Sequence, residues 1–127
     1  MKRIEPMGVY QRLPCSMVAL GCAMGITDRN ALNSLKSPQL KEDGYLSLKG
    51  MDDLIRANLK VEKAVYYARN ERMRLRGFAH MDGKDKKAII CLLGHYVYFD
   101  GHDYYSYFWN GDDPVVKVWY IKEKEDA

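Results

Sequence analysis

Cysteine-based catalysis needs a thiolate, an imidazole that takes and returns its proton, a group that fixes the imidazole, and donors for an oxyanion. The sequence offers a residue for each role. Cys15 follows Pro14 and opens the apolar run Cys15-Ser16-Met17-Val18-Ala19-Leu20-Gly21-Cys22-Ala23-Met24, which Gly25 closes. Proline's fixed φ and missing N–H suit a helix start, and glycine takes the left-handed conformation at a helix end. The run therefore predicts a buried helix with Cys15 in its first turn. The unpaired N–H groups and the dipole at that end favour thiolate over thiol. His95 follows Gly94 at the mouth of an apolar strand, where an imidazole can face a helix packed on the sheet. Gln11, four residues before Cys15, can aim its amide at an oxyanion beside the Cys15 backbone N–H, or serve as a polar loop residue.

The orienter of the imidazole follows from hairpin parity. If Phe99 faces Tyr104 across the turn Asp100-Gly101-His102-Asp103, His95 falls opposite Phe108 and Asn110 lies diagonally on the same face. Asn110 then competes for the role with Asp103, Asp112 and Asp113, all of which also suit plain turns.

These residues need elements to hold them. Residues 1–13 read as extended or looped, broken by Pro6 and Gly8. Thr27 or Asp28 caps a short helix through about Leu35, and Ser37-Pro38 ends it. Lys41-Glu42-Asp43-Gly44 reads as an exposed turn. Ser47 or Gly50 opens a helix over Met51–Leu59, with Met51, Leu54, Ile55 and Leu59 on one face. Alternation then predicts a strand at about 61–68. The stretch from Arg69 to Met81 is ambiguous between a charged loop and a helical turn. Lys87–Leu93 is a continuous apolar run that suits a central strand. Strands over His95–Phe99, Tyr104–Trp109 and Val115–Ile121 complete an antiparallel sheet, and residues 122–127 form a charged tail. Helices first and strands afterwards make an α+β fold, and 127 residues make one domain over 1–127.

The bulk numbers exclude more than they assign. With 47% hydrophobic and 29% charged residues the chain is globular. A net charge of +3 argues for no nucleic-acid partner. Arg76-Gly77-Phe78-Ala79 copies half of an RNA-recognition signature, but His80 and Gly83 break the aromatic half. No apolar run approaches a membrane span and no leader follows Met1, so the expected compartment is the cytoplasm. Three cysteines without a Cys-x-x-Cys read as reduced thiols, with Cys22 and Cys91 in the core. The cysteines and histidines have no metal-ligand spacing, so neither metal nor cofactor is expected. The run Tyr104-Tyr105-Ser106-Tyr107-Phe108-Trp109 cannot bury all its rings on one face, which leaves some for a protein partner.

Gln11, the segment Pro14-Cys15-Ser16-Met17-Val18-Ala19-Leu20, the segment Gly94-His95-Tyr96-Val97-Tyr98-Phe99-Asp100-Gly101 and Asn110 together resemble the papain-like cysteine peptidase superfamily. Its small phage and bacterial members are the nearest in pattern, and the resemblance covers roughly residues 9–121. It implies a helix headed by the nucleophile Cys15, packed on an antiparallel sheet carrying the base His95, with Asn110 as orienter and Gln11 as oxyanion donor. Gln11 stands closer to the cysteine than the family's glutamine usually does. Tyr105-Ser106 stands where the small members have Tyr-Asp. The resemblance implies hydrolysis of a peptide or amide bond through a Cys15 thioester. Its alternative is a catalytically silent relative that binds a host or self protein through the Tyr104–Trp109 hairpin.

Overall fold

A computed structural model describes residues 1–33 and 47–122. Four α-helices are described: α1 (Cys15–Met24), α2 (Arg29–Asn33), α3 (Leu48–Asn58) and α4 (Leu75–His80). The six strands are β1 (Arg3–Ile4), β2 (Val61–Tyr66), β3 (Ala88–Leu92), β4 (His95–Phe99), β5 (Tyr104–Tyr105) and β6 (Val115–Ile121), in sheet order β1-β5-β4-β3-β6-β2. The chain is an α+β fold. The turn expected at 41–44 and the end of the second helix fall outside the described residues, as do residues 123–127.

The centre of the sheet follows from composition. All five residues of β3 are buried, with Ile89 and Cys91 on one face and Ala88, Ile90 and Leu92 on the other. A strand covered on both sides reads as an unbroken apolar run for this reason. Helices α1 and α3 cover the first face through Met17, Leu20, Met51, Leu54 and Ile55, against Tyr96, Tyr98 and Trp119. Helix α4 covers the second through Leu75 and Phe78, against Val97, Phe99 and Val118.

Local chemistry sets the helix ends. Pro14 stands just outside α1 with ψ 149°, its carbonyl accepting from Val18 N–H at 3.0 Å, so Cys15 is the first helical residue. Gly25 ends the helix at φ +68°. Ser47 caps α3 by accepting from Gly50 N–H at 3.1 Å, and the helix starts at Leu48 rather than Met51.

Two expectations about the sheet are corrected. It is mixed rather than antiparallel, because β1 pairs in parallel with β5. The strand expected over Tyr104–Trp109 ends at Tyr105. The predicted pairings Phe99↔Tyr104 and Tyr98↔Tyr105 are present. Beyond them Ser106 N–H donates to Ile4 O at 3.1 Å, and Phe108 N–H turns back to Ser106 Oγ at 3.2 Å. A side-chain acceptor that captures a nearby backbone donor competes with the sheet ladder, and here it replaces the ladder. His95 consequently has no cross-strand partner at Phe108.

Candidate active site

Cys15 and His95 line one cavity of about 220 Å³, with Ser106 between strand and loop. Its remaining walls are apolar or aromatic, from Leu13 and Val18 beside Cys15 to Tyr105, Tyr107 and Phe108 on the hairpin side. Helix α1 packs along β4, which delivers the first turn of the helix and the first residue of the strand to the same place. The turn Leu93-Gly94 makes that strand start possible. Leu92 pairs with His95 across it, and Gly94 takes φ +79°, a value that suits glycine.

The imidazole is fixed by a chain of hydrogen bonds whose directions can be assigned. Asp113 Oδ2 accepts from Asn110 Nδ2 at 2.8 Å, which orients the amide. Asn110 Oδ1, an acceptor only, then takes the Ser106 hydroxyl proton at 2.7 Å. Ser106 has one proton, so its oxygen accepts from both Phe108 N–H and His95 Nε2, the latter at 3.2 Å. His95 therefore carries its proton on Nε2, and Nδ1 keeps the basic lone pair. Ser106 and Asn110 are both buried, and Tyr104 OH accepts from Asn110 N–H at 2.7 Å, so the relay is held rigidly.

The electrostatics match that arrangement. Burial lowers the His95 pKa below the usual histidine value, while the nearby Asp113 carboxylate pulls it back up. A neutral imidazole at neutral pH can accept a proton, and the carboxylate supports the cation that results. Burial pushes Cys22 and Cys91 each up to about 11, leaving about one part in ten thousand as thiolate at pH 7. All three cysteines are free, and no group of three His, Cys, Asp or Glu able to hold a metal occurs among the described residues.

No protein-family model, no curated protein and no solved structure matches the chain.

Of the four predicted site residues, Cys15 and His95 share the cavity, and Asn110 reaches His95 only through Ser106. Gln11 is exposed, does not line the cavity, and uses its backbone carbonyl to accept from Arg29 Nη1 at 3.1 Å. Among the competing carboxylates, Asp113 belongs to the relay. Asp103 accepts from Lys2 N–H at 2.7 Å, and exposed Asp112 faces Arg76 at 3.7 Å. The residue not foreseen in a positioning role is Ser106. The signal was the Tyr105-Ser106 pair where the resembled pattern has Tyr-Asp, with Asn110 one helical-type step further on.

Proposed function

We propose that the protein is a papain-like cysteine hydrolase that cleaves a peptide or amide bond, of the kind found among small phage and bacterial members of that superfamily. The observation that carries the reading is Cys15, at the start of α1, sharing a cavity with a His95 whose Nε2 is tied through Ser106 and Asn110 to Asp113. In the proposed cycle His95 Nδ1 takes the Cys15 thiol proton and the sulfur attacks the carbonyl carbon. The oxyanion faces the opening N–H groups of α1, with the Cys15 N–H as donor. Collapse expels the amine, which receives the proton from His95, and leaves a thioester. His95 then deprotonates a water that releases the acid and the free thiol. Gln11 is not required in this scheme. Three free thiols fit a reducing cytoplasm.

A second reading has its own observation. The Phe108 and Trp109 rings are 69% and 50% exposed, and Ser106 is uncharged, which suits an inactive relative that binds protein through this hairpin. Incubation with a proteome-derived peptide library separates the two. The hydrolase reading predicts new amino termini that are absent with Cys15→Ala; identical termini with both proteins leave only the binding reading.

A further inference from the structure

The turn that presents His95 also walls a second, larger cavity of about 410 Å³ on its far side. Leu93 and Pro114 line this second cavity, joined by Leu93 N–H donating to Pro114 O at 3.2 Å. His95 stands two residues after Leu93, and Asp113 immediately precedes Pro114, so two lining residues of this cavity are close in sequence to the relay, although the two cavities share no lining residue. Val115 N–H donates to Met73 O at 2.8 Å, and Tyr67 N–H to Val116 O at 2.9 Å, so backbone bonds pin the remaining walls.

The lining is chemically lopsided. Its apolar lining comes from Met73, Leu93, Pro114 and Val115, and Arg69, Arg72 and Arg74 line it as well, with no carboxylate among the lining residues. Arg74 spends a guanidinium N–H on the Asp112 carbonyl, whereas Arg69 and Arg72 join no ion pair among the described residues. The nearest acid in sequence, Glu71, is occupied by accepting from Ala68 N–H at 3.1 Å. Arg72 holds φ +49°, a left-handed backbone uncommon outside glycine and asparagine. Guanidinium groups and apolar side chains lining one cavity complement a carboxylate borne next to an apolar side chain. A nucleic acid matches less well, since Tyr67 is the one aromatic ring in the lining and its hydroxyl is bonded to Asp82 at 2.6 Å.

We infer that this cavity, away from the Cys15 cavity itself, binds an acidic segment of the proposed hydrolase's peptide substrate, one in which Asp or Glu adjoins an aliphatic residue. The inference rests on the hydrolase reading for its place in the reaction, but binding tests it without turnover. A random decapeptide library is passed at low salt over immobilised Cys15→Ala protein, and the retained pool is sequenced. Asp and Glu next to Leu, Ile, Val or Met should be enriched about threefold or more over the input. The enrichment should vanish in an Arg69→Gln/Arg72→Asn double variant, whose exposed substitutions leave the thermal melt unchanged. A pool of unchanged composition, no retention above background, or enrichment that survives the double variant overturns the inference. So does displacement of the peptides by an equimolar random RNA pool. Cys15-dependent cleavage without acidic preference would defeat this inference alone, and acidic retention without cleavage would defeat the hydrolase reading alone.

Discussion

The single proton of the Ser106 hydroxyl determines the tautomer of His95. Given to Asn110, it leaves the serine oxygen as an acceptor and obliges Nε2 to donate, so the basic lone pair sits on Nδ1. Alanine at position 106 removes the acceptor that selects this tautomer and leaves Asn110 Oδ1 and Phe108 N–H without their partner. Ser106→Ala is expected to slow alkylation of Cys15 at pH 7 about tenfold, and to cost about 1–3 kcal/mol of stability from the orphaned buried groups. Ser106→Thr, which keeps the hydroxyl, should retain most of the rate. The measurement is iodoacetamide kinetics followed by peptide mass mapping, with a urea melt for stability. Equal rates in both variants would show that the hydroxyl does not position the imidazole.

Between residue and fold, the turn Leu93-Gly94 joins the two most buried strands and aims His95. A Cβ on Gly94 meets nothing within 4 Å, so the cost of Gly94→Ala is the φ of +79° alone. That cost is expected to be about 1–2 kcal/mol in a urea melt, and relaxation of the turn should lower Cys15 reactivity in parallel. A neutral substitution would mean that the turn is not strained by a side chain.

The same scale shows which elements the chain declares by itself. Helix α1 and strands β3, β4 and β6 were readable because their signals are local: Pro14 and Gly25 around an apolar run, continuous burial in β3, and an Asp-Gly turn. Parity alone carries the strand from Tyr104 to Trp109, whereas the Ser106 hydroxyl, accepting from Phe108 N–H, ends the ladder after Tyr105. The parallel pairing of β1 with β5 joins residues a hundred positions apart, and two residues are too few to show a period. The relay is hidden for the same reason: hairpin parity points to Asn110, but its dependence on Ser106 and Asp113 exists only once the loop has folded against the start of α4.

On the whole molecule, one end of the sheet collects the chemistry. The helix start at Cys15, the strand start at His95, the hairpin residue Ser106 and the loop carrying Asn110 and Asp113 meet there, and the separate arginine-lined cavity includes Leu93 and Pro114, close in sequence to His95 and Asp113. The arginine cavity was invisible in sequence because its walls come from three separated stretches, around residues 67–74, Leu93 and 114–116. Among the described residues no helix is long and apolar enough to cross a membrane. The opposite end of Cys15's own helix holds Cys22, whose thiol bonds with Tyr10 and is raised by burial, so the fold itself provides an internal control for thiol reactivity.

That control makes the decisive measurement direct. Limiting iodoacetamide at pH 7, followed by mass mapping of all three cysteines, should modify Cys15 at least about tenfold faster than Cys22 or Cys91. The preference should disappear in His95→Ala protein that still melts cooperatively. Equal modification of the three thiols, or a Cys15 preference indifferent to His95, would contradict a cysteine–histidine pair at this site.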